Sequence, residues 1–322
     1  MAAKSKKRTR FPVDVKKLTE SVDGFEESRA YPSYVNILID VTASDRLIDA
    51  VLGAFDPQND NAEVRHALIE CGSAELPMPC DLCVVVAGES LRLGRIAAES
   101  RRLGCPTAVA IEVGETYFAA SAQDAAELLG FDEADAAGEE IEGIPEDTIV
   151  EVDFNEERPL DELGRWIAAN APAKRVSMAA SFPFIRLPLA MELTRAVALK
   201  NAGVGVVFIV PGADMPVITL NQAMLVLQIA ALYGQPLDAG RIVEVAAVVA
   251  GAFGFRALAR ELSSAVPALG WGIKGTVAYT GTMAMGKAAV ECFEEGGRIN
   301  ELSAKIREAV DAAAAVATED DL

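Results

Sequence analysis

VGVVFIVPGADMPVITLNQAMLVLQIAALYGQP, residues 204–236, is the stretch around which the chain is organised. No charged residue lies between Met215 and Leu237. On a helix, Asn221, Gln228 and Gln235 trace one narrow polar stripe. Met224, Leu225, Leu227, Ile229 and Leu232 cover most of the remaining circumference. A helix that is apolar nearly all round must be buried, in a bundle or in a membrane. Pro211-Gly212 marks a turn before it, Pro216 sits at its start, and Tyr233-Gly234 before Pro236 stops it. The flanking segments, Ala246 to Phe255 and Ser263 to Gly286, are apolar and rich in small residues, as the neighbours of such a helix would be.

Upstream the pattern is different. Tyr34 to Val41 (YVNILIDV), Asp81 to Ala87 (DLCVVVA) and Thr107 to Val113 (TAVAIEV) read as short, strongly apolar strands, with Val64 to Cys71 (VRHALIEC) and Thr148 to Val152 (TIVEV) as further strands. Helical periodicity lies between them over Arg46 to Phe55, Leu91 to Leu103 and residues 121–130, and follows them over Pro159 to Asn170. Ser44 or Asp45 is placed to cap the first of these helices. Strand and helix alternating at this spacing predict a parallel sheet with crossover helices. From Ala171 onward strand signals fade and prolines punctuate an Ala-, Gly- and Leu-rich helical pattern. The fold expected is therefore α/β followed by all-α. A basic and polar disordered tail covers 1–30, the α/β domain 31–172, the helical domain 173–316 and an acidic tail 317–322.

Composition excludes several function classes. A formal net charge of −19 opposes nucleic-acid binding through a broad basic surface. A single histidine, His66, removes triads and metal centres built on several histidines. Five cysteines in 322 residues are not a disulfide framework, and no apolar run follows the basic start MAAKSKKRTR, so a reducing cytoplasm is the expected location. That basic start could also touch anionic lipid, at about 1 kcal/mol per near-surface Lys or Arg.

The second half resembles a known family. LKNAGVGVVFIVPGADMPVITLNQAMLVLQIAALYGQPL and GFRALARELSSAVPALGWGIKGTVAYTGTMAMGKAAVECFE are similar to the YcjF-type helical domain (domain of unknown function 697) that often follows bacterial Era-like GTPase domains. The resemblance covers roughly Leu187 to Glu295 and implies architecture more than activity. The first half is similar in layout to the GTPase domain such proteins carry. ILIDVTASDRLIDAVLGAF stands where strand, phosphate loop and helix would lie, PCDLCVVVAGES where a later strand would, and CPTAVAIEVGE at the guanine-reading motif.

The chemistry departs from that layout. A phosphate loop needs glycines whose N–H groups wrap the phosphates, a lysine for their charge, and Ser or Thr for Mg²⁺. Here Ala43, Ser44, Asp45 and Arg46 occupy those places, with neither glycine nor lysine. Glu70-Cys71-Gly72 keeps only the glycine of the switch motif, and Ile111-Glu112-Val113-Gly114 replaces the base-reading sequence. Thr42 and Ser44 are the remaining candidates for holding a nucleotide. No catalytic residue, metal site or cofactor is expected.

Three further features carry a bland and a sharp reading. Cys80 and Cys83 form a Cys-x-x-Cys pair, with His66 and Cys71 as conceivable extra ligands, but the pair precedes a strand and reads first as structural thiols. Asp214 precedes Met215-Pro216 and reads as a helix cap before it reads as a functional carboxylate near Lys274 or Lys287. Thr276, Thr280, Ala284 and Ala288 make a small-residue row that suits close helix packing in water or in lipid. Lys274 and Lys287 leave too little apolar length between them to span a bilayer, and Pro211, Asp214 and Pro216 interrupt the longer stretch.

The function expected is that of a non-catalytic pseudo-GTPase-type interaction or regulatory protein. It would be cytoplasmic, with a protein partner and peripheral contact at the inner face of the cell membrane, and without nucleic acid. Two alternatives stay open: a divergent nucleotide-binding protein, and a membrane-inserted helical protein.

Overall fold

The computed structural model describes residues 14–69, 80–88, 93–114, 144–207, 215–249 and 270–319. The chain divides into two compact units, Glu27–Leu189 and Met1–Glu26 with Ala190–Leu322.

The first unit is built on a five-stranded sheet of β1 (Ser33–Asp40), β2 (Ala62–Ile69), β3 (Leu82–Val86), β4 (Thr107–Glu112) and β5 (Ile149–Val152). Every pair is parallel and the order is β2-β1-β3-β4-β5. The three inner strands are buried along almost their whole length, which is why they read as continuous apolar runs. β2 lies at an edge and exposes Glu63, Arg65, His66 and Leu68, and the charges of Glu63 and Arg65 blunt further strand pairing. Leu38, Val85, Val109 and Ile111 pack one face of the sheet against Leu93, Ile96 and Ala97.

Helix α1 (Val15–Arg29) precedes the strands in sequence and falls, as far as Glu26, in the other unit, while α2 (Asp45–Ala54), α3 (Leu93–Arg102), α4 (Asp161–Asn170) and α5 (Arg175–Ser181) belong with the strands. Where the sequence suggests a polar tail over 1–30, Val15–Arg29 is helical and buries Leu18, Val22 and Phe25. Those three residues at helical spacing are its only apolar face within a charged segment. α5 and its flanks belong to the sheet unit rather than to the helices that follow. Ser177 Oγ meets Ser33 Oγ at 2.7 Å, the Gln58 N–H donates to the Ser181 carbonyl at 2.9 Å, and the Phe182 ring stands edge-on to Phe55 at 5.0 Å. The compact units accordingly part between Leu189 and Ala190, beyond the 172–173 boundary suggested by sequence.

The second unit is helical. α6 (Arg186–Val207) crosses into it, followed by α7 (Met215–Leu232), α8 (residues 239–249), α9 (Gly270–Glu294) and α10 (Ile299–Glu319). α9 packs on both α7 and α10. From Ile218 to Leu232, α7 is buried except for the half-buried Leu220, Met224 and Gln228. It ends where Gly234 takes a φ of 71°, with the Gly234 N–H donating to Ala231 O and the Gln235 N–H to Ala230 O. That pair of bonds satisfies two of the carbonyls left open at the helix end, and a residue with a Cβ would resist the conformation. Among the described residues no helix is long and apolar enough to cross a membrane.

Candidate functional site

Open parallel sheets bind ligands beyond the carboxyl ends of their strands, where the strand order reverses. In this sheet the reversal lies between β1 and β3. The β1–α2 connection crosses that point and contains the two sequence candidates, Thr42 and Ser44.

Both hydroxyls are turned onto the chain's own carboxylates. Asp40, the last residue of β1, is 1% exposed. Its Oδ1 accepts the Thr42 N–H at 3.0 Å and the Thr42 hydroxyl at 2.8 Å, and its Oδ2 accepts the Gly88 N–H at 3.2 Å. Ser44 is the N-cap of α2: its Oγ accepts the Leu47 N–H at 3.1 Å. The same hydroxyl donates to Glu112 Oε2 at the end of β4. Glu112 is 6% exposed, and Arg46 Nη1 approaches its Oε1 at 3.9 Å. Arg46 also lies 4.0 Å over the Phe154 ring and donates to the Phe154 carbonyl at 3.2 Å.

Gly88 seals the loop from behind. A Cβ built there would meet Ala43 N and Thr42 Oγ1 at 2.4 Å, so only glycine allows strand β3 to approach this closely. The arrangement joins the ends of β1, β3 and β4 through two carboxylates. In a phosphate loop these same backbone N–H and hydroxyl donors would face an incoming anion.

Ser44→Ala therefore removes a cap and a hydrogen bond to a buried carboxylate together. A loss of about 1–3 kcal/mol is expected in denaturant unfolding of the sheet unit. A loss below about 0.5 kcal/mol would show that the hydroxyl is dispensable.

The other sequence candidates separate. Cys80 does not pair with Cys83. Its Sγ lies 2.7 Å from Cys105 Sγ, while Cys83 points into the core and its sulfur accepts from Ser100 Oγ at 3.8 Å. Burial pushes the Cys83 thiol up to about 12. His66 is exposed on β2, and no group of three or more His, Cys, Asp or Glu among the described residues is arranged to hold a metal ion. Cys71 and Asp214 lie outside the described residues. Of the small-residue row, Ala288 is buried and Thr276 exposed. The close approach in this unit falls instead at Gly286, where a Cβ would meet Thr194 Cγ2 at 2.3 Å.

The helical unit contains a polar network that periodicity alone did not show. Asn221 Nδ2 donates to Asn201 Oδ1 at 2.8 Å. Asn201 Nδ2 and Gln222 Nε2 both donate to Thr282 Oγ1, at 3.1 and 2.7 Å. Thr282 donates in turn to Ala278 O at 2.7 Å, and Lys200 Nζ reaches Asn221 Oδ1 at 3.2 Å. Asn201, Gln222 and Thr282 are fully buried. Gln222 Oε1 is buried without a hydrogen-bond partner among the described residues. The network ties α6, α7 and α9 at one level and leaves one acceptor unmet.

No family model matches this chain, and no curated protein or solved structure matches it.

Proposed function

We propose that this chain is a non-catalytic interaction or regulatory protein, in which a GTPase-like α/β unit has replaced its phosphate ligand with its own carboxylates. One observation carries the reading: Asp40 and Glu112, both buried, take the hydroxyls of Thr42 and Ser44 and the N–H groups of Thr42 and Gly88. A nucleotide phosphate at this place would meet fixed negative charge instead of a lysine. Two buried carboxylates held by hydrogen bonds resist displacement, since removing their donors leaves charges unpaired in a poorly solvated site.

On this reading the unit no longer switches with nucleotide and presents one fixed conformation to a protein partner. The YcjF-type resemblance of the helical unit, and the basic start of the chain, support a place at the inner face of the cell membrane. Membrane contact would be peripheral. The test is a titration of the purified chain with GTP in the presence of Mg²⁺. Saturable, Mg²⁺-dependent binding would instead favour the divergent nucleotide binder, with Thr42 and Ser44 as its ligands.

A further inference from the structure

The amino-terminal end of the sheet, opposite the end that carries the β1–α2 loop, carries a second chemistry. Cys80 stands just before β3 and Cys105 just before β4, two adjacent parallel strands in which Cys83 is paired with Thr107. The Cys83 N–H donates to Pro106 O at 2.9 Å, which locks the approaches to both strands together. This register, rather than sequence proximity, brings two sulfurs that are 25 residues apart to a 2.7 Å separation. Cys80 is half-buried and Cys105 buried, so Cys80 is the more accessible residue of the pair.

The surroundings distinguish the two. Hydrogen bonds with the Cys105 side chain, the Asn36 amide and the Leu82 N–H hold the Cys80 thiol below its ordinary value, against burial and the nearby Asp81 carboxylate. Cys105 is pushed the other way, chiefly by the same hydrogen bond and by burial. Among the described residues, this end carries the charged pair of Asp81 and Lys174, whose Nζ lies 3.5 Å from Asp81 Oδ2. Lys174 thus offsets the one carboxylate that disfavours a thiolate here. A more accessible cysteine whose sulfur lies 2.7 Å from that of a buried one is the arrangement of an attacking and a resolving cysteine.

We propose that Cys80 and Cys105 form a thiol–disulfide exchange site for low-molecular-weight disulfides of the glutathione type. The Cys80 thiolate attacks one sulfur of the small disulfide, forms a mixed disulfide and releases one thiolate. The Cys105 sulfur then attacks Cys80 Sγ and expels the second small thiol, to which the Cys105 proton passes. The protein dithiol loses two electrons and the small disulfide gains them. The product is an internal disulfide joining the approaches to β3 and β4. Cys83, deep in the core with its thiol pushed up to about 12, takes no part.

The test uses the full-length chain, reduced and then incubated with glutathione disulfide, quenched with a thiol alkylator and weighed intact. Wild type is expected to lose two titratable thiols and to retain no glutathione, and a non-reducing digest should join the Cys80 peptide to the Cys105 peptide. Cys105→Ser should stop at one glutathione on Cys80. Cys80→Ser should stay reduced over the same time, and Cys83→Ala should oxidise as wild type does. Before oxidation, Cys80 should be alkylated at least about tenfold faster than Cys83. Retention of all thiols by wild type, a disulfide linking Cys71 to either sulfur, or an unchanged product in Cys80→Ser would each overturn the proposal. Circular dichroism of each variant before oxidation separates loss of exchange from loss of fold. If Cys105→Ser does not fold, the wild-type digest alone decides the pairing.

Discussion

Thr282→Val is expected to cost about 2–5 kcal/mol of stability in the helical unit. Valine nearly matches threonine in shape, so packing changes little. What changes is that Asn201 Nδ2 and Gln222 Nε2, both from fully buried side chains, lose their common acceptor at once. An orphaned buried donor costs about 1–3 kcal/mol, and Gln222 Oε1 is already without a partner among the described residues. Thr282→Ser keeps the hydroxyl and should recover most of the loss. Denaturant unfolding followed by far-UV circular dichroism measures it, read in the helical unit's own transition, because two compact units can unfold separately. A loss below about 1 kcal/mol would mean that the amides find other partners and that the network is not structural.

Leu225→Ala should be as costly for a different reason. Leu225 is fully buried on α7, and truncating it removes apolar contacts and leaves a cavity that the surrounding helices close only in part. About 2–5 kcal/mol is expected, with no change in flotation on liposomes of anionic lipid. If α7 instead lay on a membrane, the substitution would weaken flotation while costing less than about 1 kcal/mol in unfolding.

The parts legible in the sequence are those fixed by local pattern. β1, β3 and β4 stand within a residue or two of the apolar runs that announce them, because strands buried on both faces need no polar alternation. Ser44 was one of two readable caps, and its Oγ holds the Leu47 N–H. The parts that stayed hidden depend on partners far along the chain. Cys80 looked like the mate of Cys83, yet register across β3 and β4 gives it Cys105. Gln222 lies beside the stripe through Asn221 and Gln228, and only α9, which brings Thr282, makes it a network residue. Leu18, Val22 and Phe25 were too few apolar residues in a charged segment to announce α1. Nothing local in the sequence placed the Glu112 carboxylate on Ser44, 68 residues away.

The central claim is that the place of the phosphate is taken by Asp40 and Glu112. Isothermal titration of the purified chain with GTP, in the presence of Mg²⁺, tests it most directly. The account predicts no saturable heat at micromolar concentrations. A dissociation constant below about 10 μM, near −7 kcal/mol, that weakens in Ser44→Ala would contradict it.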